Sequence, residues 1–446
     1  MDQELNWQNG EASVSDQESG FNFDVHEYNH TATVVGINEA RSDYVVPASI
    51  EINGEQFAVT EFGAAYCVFY DDAGEDDGVV AVEHVELPDT ITEIGDRAFE
   101  RCYDLESITI PDSVTSIGSD AFRECGSLES IVIPDGVTKI EDGAFCCCFS
   151  LESITIPDSV TEIGEGAFSN CTHLESVTIP DSVTSIGDAA FRECDSLESV
   201  MLPNSMTEMG KYAFSRCPSL EDITIPDGLT EIKEGTFSDC DSLESVSIPD
   251  SVVEIGKGAF WGCGMLENVT IPDSVTEIGR LAFYNCDSLN NVDIPNGVTS
   301  IREWTFNDCG SLKSVTIPDS MTEIGKYAFT TCKNLENIDI PDSVTSIGES
   351  AFASCLSLKS VTIPDSVTEI GDYAFYGCTS LKEVDMPDDI SIGKHAFDGC
   401  PAFDDPEMDN VDYGTITEDD SQIEEVFLSD DEDEDNIDSS DGYESF

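Results

Sequence analysis

Positive charge is what this chain has least of. Its 446 residues hold 18 Lys and Arg against 93 Asp and Glu, a formal net charge of −75. So acidic a chain repels phosphate backbones and anionic lipid surfaces, which argues against nucleic acid and membrane surfaces as partners. No apolar run approaches the ~18 residues of a membrane helix, so membrane insertion is not expected. The N-terminal MDQELNWQNGEASVSDQESG has neither the basic nor the apolar region of a secretory signal, and on sequence alone this points to the cytoplasm. Also missing are Cys-x-x-Cys, Gly-x-x-x-x-Gly-Lys-Ser/Thr and Gly-x-Gly-x-x-Gly, the spacings that hold zinc or cradle phosphates. The five histidines, His26, His30, His84, His173 and His395, are scattered. No catalytic set is visible, and neither an enzyme, a metal nor a cofactor is expected.

What the chain does have is repetition. Pro88, Pro111, Pro134, Pro157, Pro180, Pro203, Pro226, Pro249, Pro272, Pro295, Pro318, Pro341, Pro364 and Pro387 stand 23 residues apart. Counted from each proline, apolar residues recur at −6, −3, −1, +3, +6, +10 and +11, and cysteine at +14. In one unit these are Leu105, Ile108, Ile110, Val114, Ile117, Ala121, Phe122 and Cys125. Leu-x-x-Ile-x-Ile alternates with period two and predicts a short strand. Pro-Asp-Ser predicts a turn, and Val-Thr-x-Ile a second short strand ended by glycine at +7. Ala-Phe-x-x-Cys predicts a tight 3₁₀-like turn with the phenylalanine inward. One such unit cannot bury its apolar face, whereas stacked units can. The expected fold is a β-rich solenoid.

The pattern LxxIxIPxxVxxIGxxAFxxC resembles the BspA-like (Treponema-type) leucine-rich repeat over about residues 45–400. The resemblance implies a right-handed leucine-rich-repeat coil stack. It also implies secreted or surface-displayed binding and adhesion proteins, without catalytic residues. The expected organisation is a disordered N-terminus over 1–20, a cap and degenerate first repeat over 21–80, fourteen repeats over 81–400, and a disordered acidic tail over 401–446. The tail holds 19 acidic residues and no Lys or Arg.

Two columns invite a chemical reading. The recurrent cysteines read as buried wall residues, because copies in a ladder point the same way and do not converge on a disulfide. Cys67, Cys146 and Cys147 lie off that column. Cys146 and Cys147 are expected on the exposed part of a turn, as the reactive thiols. Asp at +1, as in Asp112 and Asp158, reads as a turn residue bonding its own backbone, not as a calcium ladder. Gly136, Gly228 and Gly297 occupy +2 in the three units that lack glycine at +7, which carry Glu141, Lys233 and Arg302 instead.

The outward strand positions, −4 and −2, are monotonous Ser and Thr, expected on the concave face. Variety falls beside the Ala-Phe turn, at +8, +9 and +12: Lys211, Tyr212, Lys257, Trp261, Arg280, Tyr284, Trp304, Lys326 and Tyr327, with Tyr373 and Tyr376 beyond. Tyr, Trp and Arg dominate interface hot spots, so this stripe is the candidate partner-binding site. The expected function is non-enzymatic, adhesion-type recognition of a protein or glycan. The alternative is an intracellular scaffold whose acidic tail is phosphorylated at Ser429, Ser439 or Ser440. A further reading makes the acidity an adaptation to high salt, which screens charge repulsion. The sequence does not set the oligomeric state.

Overall fold

A computed structural model of the chain describes residues 11–38, 40–63, 68 and 81–403. It is a β-solenoid with no α-helix among the described residues and a single short 3₁₀ turn at Pro401–Phe403. Each repeat forms one coil. In most repeats a three-residue strand, such as Ser107–Thr109, pairs in parallel with the copy 23 residues on, and a two-residue strand, such as Ser116–Ile117, with the copy 23 residues back. The three-residue strands read exposed–buried–exposed, so −3 enters the core and the Ser/Thr positions face out. In the last coil the register drops to 22, Glu369 facing Ser391, which absorbs the residue missing between Pro387 and Phe397.

The N-terminal cap is larger than expected. Strands β1 (Glu11–Asp16), β2 (Phe21–His26) and β3 (Thr31–Ile37) form an antiparallel meander. Residues 11–20 are therefore a strand and its turn, correcting the expected disorder there. Strand β4 (Asp43–Val45) opens the ladder of three-residue strands. The extra residues of the degenerate first coil form a hairpin of β5 (Ser49–Ile52) and β6 (Glu55–Phe62). Strand β6 pairs with β3 on one side and joins the two-residue ladder at Glu93–Ile94. Residues 1–10, Cys67, the 71–78 loop and the tail with its three serines lie outside the described residues.

The core is a set of columns. Phenylalanines at +11 stack nearly parallel from coil to coil, with centroids 4.9 Å apart for Phe99–Phe122, 5.2 Å for Phe168–Phe191 and 5.4 Å for Phe260–Phe283. The Ala-Phe turn adds a third ladder. Amides at +9, +11 and +13 donate to carbonyls of the next coil, as Arg97 to Ser119, Phe99 to Ala121 and Arg101 to Arg123. Amides at +10, +12 and +14 instead bond three residues back within their own coil, as Cys102 to Phe99 at 3.1 Å. The alternation requires left-handed backbone at +9 and +13, as at Arg97 (φ 57°) and Arg101 (φ 63°).

Glycine at +7 has a role other than breaking a strand. Its φ is not left-handed; the backbone of the preceding coil is simply too close for a side chain. A Cβ on Gly187 would stand 2.6 Å from the Glu165 nitrogen, and one on Gly279 2.5 Å from the Lys257 nitrogen. In the three coils carrying Glu141, Lys233 and Arg302 the backbone cannot come that near. The two-residue ladder breaks at those three places, between Ser116–Ile117 and Lys139–Ile140, Glu208–Met209 and Glu231–Ile232, and Glu277–Ile278 and Ser300–Ile301. Close approach moves to +2, where a Cβ on Gly136 would meet the Val114 carbonyl at 2.8 Å and one on Gly297 the Val275 carbonyl at 2.5 Å. The paired change from glycine at +7 to glycine at +2 is thus one coil pivoting on its neighbour. In two of these coils +10 is threonine, and its hydroxyl bonds the +7 carbonyl: Thr236 to Lys233 and Thr305 to Arg302, both at 2.9 Å.

Candidate binding stripe

The stripe at +8, +9 and +12 runs beside the third ladder. Trp261, Tyr284, Trp304 and Tyr327 form one unbroken aromatic run over four coils, with ring centroids 6.3, 6.2 and 4.3 Å apart. Trp304 and Tyr327 lie nearly face to face, at 22°. Tyr284 is only 8% exposed, whereas Trp261, Trp304 and Tyr327 are half-buried. Tyr212 stands apart, two coils from Trp261, with its ring against Gly235, where any Cβ would collide.

The basic residues are less free than the sequence suggested. The +8 column reads Lys211, Glu234, Lys257, Arg280, Glu303, Lys326, Glu349, and its charges zip together. Glu234 lies between Lys211 at 3.8 Å and Lys257 at 3.3 Å. Arg280 pairs with Glu303 at 3.0 Å and Lys326 with Glu349 at 3.4 Å; Tyr327 also donates its hydroxyl to Glu349 at 3.3 Å. The three glutamates belong to the stripe and were missed because basic and aromatic types alone were sought. Reading the column coil by coil shows the alternation.

Four of the aromatic residues lie at the left-handed position that the coils share. Tyr212 (φ 55°), Trp304 (φ 63°), Tyr327 (φ 57°) and Tyr373 (φ 58°) occupy the left-handed +9 position, which four other coils fill with Gly143, Gly166, Gly235 and Gly258. Left-handed backbone costs an L-residue roughly 1–2 kcal/mol, and bulky side chains are rare there.

The cysteines at +14 are buried as expected, but they are more than apolar filler. From Cys125 to Cys400 each thiol of the column donates to the phenylalanine carbonyl of the preceding coil, as Cys148 to Phe122 at 3.2 Å and Cys263 to Phe237 at 3.2 Å. Burial pushes the thiols of Cys240, Cys263 and Cys286 well above the usual thiol range. Cys147 is buried, 3% exposed, against the expected exposure, while Cys146 is partly open. Among the described residues no cluster of three His, Cys, Asp or Glu is arranged to hold a metal ion, and no helix is long and apolar enough to cross a membrane.

Stacked 23-residue coils with parallel ladders and a phenylalanine spine define a leucine-rich-repeat solenoid, a class that is generally non-enzymatic and binds protein partners. The chain belongs to the BspA-type leucine-rich repeat family, whose model matches residues 78–186, 161–290 and 276–404. It is similar to a leucine-rich repeat protein from Bacteroides ovatus, at 31% identity and TM-score 0.56 over 89% of this chain and 92% of that one. A leucine-rich cell surface protein from Faecalibacterium prausnitzii aligns at 29% identity and TM-score 0.46 over 84% of this chain and 94% of that one. A leucine-rich repeat protein from Eubacterium ventriosum aligns at 21% identity and TM-score 0.49, covering 89% and 97%. None of the curated proteins compared with the chain matches it.

Proposed function

We propose that this chain is a non-enzymatic, adhesion-type binding protein that docks a protein partner on the aromatic stripe from Trp261 to Tyr327. One observation carries the reading. Trp261, Tyr284, Trp304 and Tyr327 line up on four consecutive coils as one aromatic run, made of residue types that dominate interface hot spots. Trp304 and Tyr327 cover each other's faces and Tyr284 meets Trp304 at a 57° tilt, so the run offers edges and a half-buried surface more than an open ring face, which suits protein contact. The paired Lys257, Arg280 and Lys326 set the polar rim and the register of docking.

The test substitutes Trp304→Gly, which suits the left-handed backbone, together with Trp261→Ala and Arg280→Glu. Immobilised wild-type and variant chains are compared for the proteins they retain, with Tyr103→Ser as an exposed aromatic control off the stripe. A partner kept by wild type and control but lost by the three variants, with unfolding midpoints preserved, supports the reading. Unchanged retention in all three, or variants that lose stability while keeping the partner, overturns it.

A further inference from the structure

Of fourteen repeats, one carries adjacent cysteines at +12 and +13. Cys146 and Cys147 bring their sulfurs to 3.4 Å, in contact but unbonded. The fold does not ask for either. The next coil has Ser169 and Asn170 at these places, and another has Trp261 and Gly262. Position +13 is left-handed, and Cys147 adopts φ 60° there, where glycine or asparagine would sit with less strain. Cysteine is thus present at a costly position beside a second cysteine.

The geometry points to a two-sulfur chelate. We propose that Cys146 and Cys147 bind a soft, thiophilic centre that takes two sulfurs, trivalent arsenic being the type. Two thiolates on one such centre, each at ~2.3 Å, stand ~3.2–3.8 Å apart, the separation already present. Cys146 is partly exposed and opens the pair to solvent, and Cys147 lies buried against the coil. The recurrent thiols are buried and engaged with phenylalanine carbonyls, so none of them opens to solvent as Cys146 does. The hydrogen bond to Cys147 and burial push the Cys146 thiol up, with Arg123 opposing, so it enters the reaction protonated. Condensation suits such a pair. With an arsine oxide, two As–S bonds form, the As=O oxygen leaves as water with both thiol protons, and no redox partner is needed.

Phenylarsine oxide is the probe, added to the folded full-length chain and read by native mass spectrometry. One phenylarsenic group per chain is expected, with loss of one water. A dithiol such as 2,3-dimercaptopropanol should remove it, and 2-mercaptoethanol at equal thiol concentration should not. Cys146→Ser and Cys147→Asn should each lose the adduct, and Cys67→Ser should keep it. Cys147→Asn should unfold at a midpoint no lower than wild type, since asparagine tolerates the left-handed backbone; that separates loss of the site from loss of the fold. No adduct on the wild type, or an adduct that survives Cys146→Ser or Cys147→Asn, overturns the proposal.

Discussion

Cys125 donates its thiol proton to the main-chain carbonyl of Phe99 at 3.2 Å, and that carbonyl also accepts the amide of Cys102 at 3.1 Å. The thiol joins consecutive coils behind the phenylalanine spine, and the same bond recurs down the stack, from Cys171 to Phe145 and from Cys332 to Phe306. The carbonyl's second lone pair takes a donor that also fits an apolar wall, and a thiol supplies both.

These buried thiols predict an alkaline limit to stability. Burial raises the folded-state values of Cys240, Cys263, Cys286 and Cys332 well above the unfolded value. A group raised on folding contributes stability that is fully present below the unfolded value, about 8.5, and is lost as pH rises above it. Each thiol that must stay protonated then costs about 1.4 kcal/mol per pH unit. Urea midpoints in degassed buffer should be flat from pH 7 to 8 and fall steeply above about pH 9. A midpoint level through pH 10 would show that the thiols ionise in place.

The phenylalanine spine should respond to truncation in the middle of the stack. Phe191 is fully buried, with neighbouring rings centred 5.2 and 5.3 Å away. Phe191→Ala should cost about 3–5 kcal/mol, because neither neighbour can slide into the space without leaving its own coil. Phe403, half-exposed at the C-terminal turn, should cost far less on the same change. Equal losses at the two sites, read as urea midpoints, would contradict a spine packed coil on coil.

The proline period alone made the strands, the core columns and the repeat legible, because a fixed spacing places every residue over its copy. Three features were less legible. The left-handed +9 and +13 positions hold Arg, Tyr, Trp, Ala and Gly, and their handedness comes from the inter-coil ladder, not from the residue present. Glycine at +7 looked like a strand breaker, since in sequence a missing Cβ and a free φ have the same letter. The stripe's composition was visible, but its charge balance was not, because Lys257 meets Glu234 from the coil before.

Acidity should be partly relieved by salt and by mild acid. Burial, then neighbouring Glu277 and Glu231, raise the carboxyl of Glu254, and burial with Asp188 and Asp142 does the same for Glu165. A carboxylate raised on folding favours the folded state more as pH drops towards its value, and loses that contribution as pH climbs through it. Midpoints should therefore rise from pH 7 to about 5, and at pH 7 from low salt to about 1 M NaCl, where the screening length is ~3 Å. Sodium chloride is the better salt, since sulfate also strengthens apolar burial. Midpoints that fall in both series would mean that ion pairs such as Arg216–Glu193, at 2.9 Å, outweigh the repulsion.

The three pivoting coils should be the places where the stack opens first. At ordinary junctions the +4 and +7 amides reach the preceding coil, as Thr184 to Thr161 at 2.9 Å and Gly187 to Ile163 at 2.8 Å. Among the described residues the amides of Thr138, Thr230 and Thr299, and of Glu141, Lys233 and Arg302, have no such bond. Each pivot gives up two inter-coil backbone bonds, worth roughly 0.5–1.5 kcal/mol apiece. In a quasi-one-dimensional stack such a loss stays local and lowers the cost of opening at that junction. Hydrogen exchange followed by proteolysis and mass spectrometry should show faster exchange around residues 138–141, 230–233 and 299–302 than around 184–187 or 345–348. Arg302→Gly tests the cause. It removes the Cβ that holds the coil away, so it should slow exchange around residues 299–302 and leave the other two junctions unchanged. Exchange that is uniform along the stack, or untouched by Arg302→Gly, would show that the broken ladder carries no energetic weight.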